Sequence, residues 1–153
     1  MNLNERRPAA NRLYEVFARY SSPGTSFCNL CYSPEQISYI TSVPVASLDA
    51  EHGRKLLWEA TGHWESADVF RHYLPRILEL LGPPWMVDDL YPLHLFETLT
   101  EIGFHSWPGH EQEVVIEYLE CVRPEVVREF DNVDRMEWTT GLATLSGRLR
   151  SGP

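Results

Sequence analysis

The sequence predicts an all-α protein. Apolar residues recur at spacings of 3 and 4 along nearly the whole chain, no Asn-Gly or Asp-Gly pair separates alternating apolar runs, and strand and helix patterns do not alternate. Turn signals divide the pattern into seven or eight short helices. Connections of a few residues favour antiparallel neighbours, so stacked antiparallel hairpins or an irregular bundle are expected. With 153 residues, 43% of them hydrophobic, the chain fills one core, and one domain over 1–153 is expected, with residues 1–7 and 148–153 disordered. No self-similar period of roughly 30 to 45 residues is present.

The elements follow in order. From Pro8, the residues Leu13, Val16, Phe17 and Tyr20 line one helix face, which Ser21-Ser22-Pro23-Gly24 ends. Ser33 caps the next helix, with Pro34 in its first position and Gln36 completing a capping box ahead of Ile37, Tyr39 and Ile40. Ser47 opens a third, carrying Leu48, His52, Leu56 and Leu57 up to Trp58. Ser66 caps the segment Ala67 to Leu81, whose stripe of Val69, Phe70, Tyr73, Leu74, Ile77, Leu78 and Leu81 is too wide to face one neighbour. Pro75 within it predicts a kink, or two helices meeting near Tyr73-Leu74.

Gly82-Pro83-Pro84 is a firm stop. Leu93, Phe96, Leu99 and Ile102 mark a helix over Pro92 to Phe104; after Trp107-Pro108-Gly109, Val114, Val115, Tyr118, Leu119 and Val122 mark another over Glu111 to Val122. Pro124 restarts a short helix to Phe130. Asp134 with Glu137 begins a last, weaker one containing Trp138, Leu142 and Leu145, in which Gly141 and Gly147 reduce helix propensity.

Charge is unevenly distributed. The net charge is −9, yet residues 1–60 hold six basic and six acidic residues, while 61–153 hold seven basic and sixteen acidic. Between Ile77 and Val122 there are nine acidic residues and no Lys or Arg. Glu97 and Glu101 lie one turn apart on one helix, and Glu113, Glu117 and Glu120 lie at spacings of 4 and 3 on the next, with Glu111 just ahead of them. Like charges at such spacing cost about 0.2 to 0.5 kcal/mol per pair in an isolated helix. No local cation relieves them, so two acidic ridges on neighbouring helices are expected to steer and hold a basic partner; the plainer role is a solvated surface that keeps the protein soluble. A net charge of this sign also argues against direct nucleic-acid binding.

Cys28 and Cys31 form a C-x-x-C ahead of the Ser33 cap. Two thiolates on one tight turn fit two corners of a tetrahedral zinc site, and His72 is the best placed third ligand; the alternative is a pair of partly buried thiols packed beside Phe27 and Tyr32. His105 and His110 have the spacing of a zinc-finger pair but flank a turn far from the cysteines, and Cys121 is alone on an apolar face. His110-Glu111 begins like a metalloprotease helix, but Val114 stands where the second His belongs. Phosphate loops, dinucleotide fingerprints and nucleophile elbows are all absent, and three cysteines make no disulfide framework. No catalytic residue is assigned and no cofactor is expected, zinc being the one the residues admit.

Phe27-Cys28-x-x-Cys31, the Ala60-Thr61-Gly62 turn and the run His72-Tyr73-Leu74-Pro75-Arg76-Ile77 together resemble a group of small acidic bacterial proteins. These share a cysteine pair near the N-terminus and a His-aromatic-Leu-Pro-Arg-hydrophobic segment. The likeness covers about residues 10–82. It implies a bacterial origin and a common helical scaffold with a variable, acidic C-terminal partner surface, and it carries over no catalytic residue.

The function expected is a non-enzymatic binding protein, in its most specific form an immunity protein that blocks a cognate toxin domain by covering a basic active-site face. Glu97, Glu101, Glu111, Glu113, Glu117 and Glu120 would contact the partner, with Trp85 and Trp107 as aromatic anchors in Pro-rich turns. The alternative is a zinc-stabilised helical adaptor or small enzyme built on Cys28, Cys31 and His72. With no signal-peptide pattern and no apolar run of about 20 residues, a cytoplasmic location without membrane contact is expected.

Overall fold

Short polar side chains set the helix starts. Ser33 Oγ accepts the Gln36 N–H at 3.1 Å while Gln36 Oε1 accepts the Ser33 N–H at 2.8 Å, the capping box expected there. Asp49 Oδ1 accepts the His52 N–H at 2.9 Å, and Asp131 Oδ1 accepts the Asp134 N–H at 2.8 Å. The third helix therefore starts after Asp49 rather than at Ser47, which closes a 3-10 turn over Val45–Ser47. The last one likewise starts after Asp131, with Asp134 already in its first turn.

A computed structural model describes residues 3–20, 27–28, 30–60, 67–81 and 90–147. Seven helices run through them: α1 (Leu3–Phe17), α2 (Pro34–Ser42), α3 (Ala50–Trp58), α4 (Ala67–Glu79), α5 (Leu90–Glu101), α6 (Gly109–Val126) and α7 (Asn132–Leu145). Further 3-10 turns lie at Phe104–Ser106 and Val127–Glu129, and the described residues contain no strand. The protein is all-α. None of the described helices is long and apolar enough to cross a membrane. Leu3–Phe17 places residues 3–7 in a helix, not in the disordered arm expected of them, because Arg6, only 2% exposed, reaches back to the end of α4. The Ser66 cap lies outside the described residues.

The helices pack as α1 on α6 and α4, α3 on α4 and α5, and α5 on α7, around one continuous hydrophobic cluster. Within it α4 buries Val69, Phe70, Tyr73, Leu74, Ile77 and Leu78 almost completely. Pro75 sits inside α4 without dividing it, and α6 likewise runs through Pro124 to Val126, where a restart was expected. Each proline removes one backbone hydrogen bond. Fully buried apolar residues on both sides, Leu74 with Ile77 and Leu78 in α4, Val122 with Val126 in α6, hold the helices together across that loss.

The His-aromatic-Leu-Pro-Arg run fastens the fold. His72 Nδ1 lies 2.8 Å from the Tyr20 carbonyl oxygen beyond α1, Arg76 Nε donates to the Leu48 carbonyl at 2.8 Å ahead of α3, and Arg76 Nη1 donates to Glu79 at 2.9 Å. Polar residues at 72 and 76 thus tie α4 to its neighbours while Tyr73, Leu74 and Ile77 fill the core.

Gly141 looks like a weakness of α7, and packing explains it. A Cβ there would stand 2.7 Å from Phe96 Cγ and 3.2 Å from Phe96 Cβ, so glycine permits the close approach of α7 to α5. Phe96 in turn meets Trp138 edge-on at 4.8 Å. Gly141→Ala is expected to lower the melting temperature, although alanine is the better helix former by about 1 kcal/mol, because overpacking costs about 1 to 3 kcal/mol. A higher melting temperature in a thermal scan would show that the Phe96 ring moves aside freely.

Candidate functional site

Four arginines of α1 and its end answer the acidic residues. Arg6 Nη1 is 3.4 Å from Glu125, Arg7 pairs with Glu79, Arg12 with Glu117 and Arg19 with Glu111. Their sequence separations run from 72 to 119 residues, so Glu79, Glu111 and Glu117 of the tract without local cations are paired from across the fold. Glu79 shows how strongly. Burial raises its carboxyl, but hydrogen bonds from Tyr14, Arg76 and Arg7 outweigh that and hold it below the usual glutamate range. The same burial, with the Glu79 charge beside it, pushes the Tyr14 hydroxyl up.

Two expected partner contacts are corrected by this arrangement. Glu111 is fully buried: its Oε2 accepts from Arg19 and from the Tyr20 hydroxyl at 2.6 Å, and Arg71 donates to that hydroxyl at 2.8 Å. It is part of the scaffold. Trp107 is 3% exposed, lies edge-on to Phe17 at 6.1 Å and beneath the Arg71 guanidinium at 4.5 Å, so it anchors the core rather than a partner. Tyr118 is core as well. Trp85 lies outside the described residues.

The two ridges differ. On α6, Glu113, Glu117 and Glu120 are exposed, and Glu117 is engaged by Arg12 of the helix α6 packs on. On α5, Glu97 and Glu101 are exposed on the side of α7. There they border an apolar groove of about 690 Å³ between α5 and α7 that Trp58 of α3 also lines. Leu93, Phe96 and Gly141 contribute its apolar lining, Glu137 of α7 adds a third carboxylate, and the described lining residues include no Arg or Lys. Trp58 remains 44% exposed although it closes a core-facing helix, and its ring stacks on His94 at 3.9 Å with an interplanar angle of 16°. His94 Nδ1 is 3.9 Å from Glu97, an ion pair when the imidazole is protonated.

Trp58, His94 and Glu137 were not singled out by sequence. Trp58 reads as the end of the Leu56-Leu57 stripe, and Glu137 as the partner of a helix cap that Asp131 in fact supplies. The available signal was an acidic residue three positions after Asp134 next to a glycine-permitted helix crossing, which local spacing does not distinguish from a cap.

No family model, curated protein or solved structure matches the chain. The site is therefore defined by its own geometry.

At the cysteine pair, the Cys31 and Tyr32 N–H groups donate to the Cys28 carbonyl at 3.1 and 3.0 Å, forming a tight turn whose Phe27 and Tyr32 rings meet edge-on at 5.3 Å. The Cys28 thiol, then burial and the Glu59 carboxylate, push Cys31 up to about 12, so it is a neutral thiol and not an activated nucleophile. The described residues contain no group of three His, Cys, Asp or Glu side chains arranged to hold a metal, and His72 Nδ1 is directed at Tyr20 rather than at the pair. Cys28, Cys31 and His72 thus do not come together as a three-ligand set.

Proposed function

We propose that this chain is a non-enzymatic bacterial protein that binds a basic protein partner through the α5–α7 groove, acting in the cytoplasm as the immunity protein of a cognate toxin domain. The observation that supports it is the groove itself: an apolar lining, an exposed tryptophan and three carboxylates with no Arg or Lys among the described lining residues. Elsewhere the α1 arginines answer acidic residues, and buried Glu79 and Glu111 serve the fold. At the groove they are displayed together around apolar surface, the arrangement of an interface centre with a charged rim. A toxin that cuts nucleic acid or nucleotides presents Arg and Lys to its substrate, and an acidic inhibitor covers that face at rates steered by charge.

Growth rescue tests this. Coexpression with the toxin domain encoded beside this chain's reading frame should restore growth. Glu97→Lys combined with Glu101→Lys should abolish rescue at an unchanged melting temperature, since exposed substitutions shift stability by less than about 0.5 kcal/mol. A folded wild-type chain that fails to rescue, or the absence of any such frame, overturns the immunity function.

A further inference from the structure

We infer that the α5–α7 groove is selective for arginine over lysine: its occupant is the guanidinium of an arginine side chain presented by the basic protein partner. This rests on the partner-binding function proposed above and specifies what the groove recognises. The first ground is shape. A groove lined by Leu93, Phe96 and Gly141 receives the aliphatic stem of a long cationic side chain, and its carboxylates Glu97, Glu101 and Glu137 stand where the charged end arrives.

The second is the aromatic platform. Trp58, stacked on His94 and nearly half exposed, is an aromatic ring among the groove's lining residues. A guanidinium is planar and weakly hydrated, so it stacks on an indole and still directs N–H groups in its own plane to carboxylates; a compact ammonium holds its water and lacks a face to stack. Glu97 and Glu101 sit one turn apart, and the two oxygens of either carboxylate accept the paired N–H groups of a guanidinium fork.

The third is that the protein builds the same combination inside itself. The Arg71 guanidinium lies 4.5 Å from the centre of the Trp107 ring and 5.1 Å from that of Tyr20, and the Tyr20 hydroxyl is 2.6 Å from the Glu111 carboxylate. Aromatic ring, arginine and carboxylate assemble there within one chain. The groove displays the aromatic and carboxylate parts on the surface.

The test titrates 15N-labelled full-length protein with two blocked peptides, acetyl-Gly-Arg-Gly-Arg-Gly-amide and its lysine counterpart, following the Trp58 indole N–H and the amides of α5 and α7. The arginine peptide is expected to bind about fivefold more tightly, the ratio that about 1 kcal/mol of stacking provides. Trp58→Leu should erase the preference while leaving charge-driven binding of both peptides, and Thr100→Arg, which places a guanidinium in the groove from an exposed lining position, should abolish both. Because Trp58 also covers part of α5, Thr100→Arg provides a second outcome if Trp58→Leu is unstable. Equal affinity for the two peptides at the groove, or shifts only on other faces, overturns the arginine inference while growth rescue still decides the binding function independently.

Discussion

Glu79→Ala is expected to destabilise the protein by about 3 to 5 kcal/mol, the cost of removing one member of a buried ion pair and stranding the other. The carboxylate is 3% exposed and joins α1 to α4: Tyr14 donates to its Oε1 at 2.8 Å, Arg76 to the same oxygen at 2.9 Å, and Arg7 to Oε2. Without it, the half-buried tyrosine hydroxyl and the Arg76 guanidinium lose their shared acceptor. For a chain of this length the loss corresponds to a melting temperature lower by on the order of 10 °C. By contrast, Glu117→Ala removes an exposed pair with Arg12 and should cost less than about 1 kcal/mol. Equal small effects in the two variants would mean that Arg7, Tyr14 and Arg76 find water as readily as Glu79.

The same residue sets part of the acid limb of stability. Its folded carboxyl is held below the unfolded value of about 4.3, so its contribution is complete above that pH and is lost as pH falls through the lower, folded value. Melting temperature should therefore decline below about pH 4.3 in the wild type and more gently in Glu79→Gln. Some slope remains, because bonds from His52 hold Asp49 low against the raising effect of burial. An unchanged acid limb in Glu79→Gln would assign the titration to other groups.

Ile77→Ala and Leu74→Ala carry the other large effect, about 2 to 5 kcal/mol each in chemical denaturation. Both side chains are 0% exposed at the centre of α4, which packs on α1 and α3. The residues that fasten α4, His72 to Tyr20 and Arg76 to Leu48, resist its shift into the void, so little of the cavity should collapse. A loss below about 1 kcal/mol would place these side chains at a deformable edge of the core.

What the sequence made legible was whatever depends on neighbours in sequence. The Ser33 capping box needs only four consecutive residues, and it forms as written. The α4 stripe is equally plain, since seven apolar residues at helical spacing leave no other way to bury them. The continuity of α4 through Pro75 and of α6 through Pro124 was not legible for the opposite reason: a proline's local cost is visible in sequence, whereas the packing that outweighs it comes from other helices. The acidic tract misled in the same way. Glu111 and Glu117 look unrelieved at 3 and 4 spacing, yet Arg19 and Arg12, 92 and 105 residues away, reach them once α1 docks on α6. Spacing alone places Glu97 and Glu101 on one helix face, but the groove they border is also lined by Glu137 and Trp58 from two further helices, and no local pattern joins those.

Calorimetric titration of the proposed toxin partner into three forms of the chain tests whether the groove is the partner surface. The forms are wild type, Glu97→Lys with Glu101→Lys, and Glu113→Lys with Glu117→Lys. Reversal at the groove is expected to cost on the order of 2 to 5 kcal/mol of binding free energy, while reversal on α6 is expected to leave affinity within about tenfold of wild type. Full-affinity binding by the groove variant together with loss in the α6 variant would contradict it and move the interface to the α6 ridge.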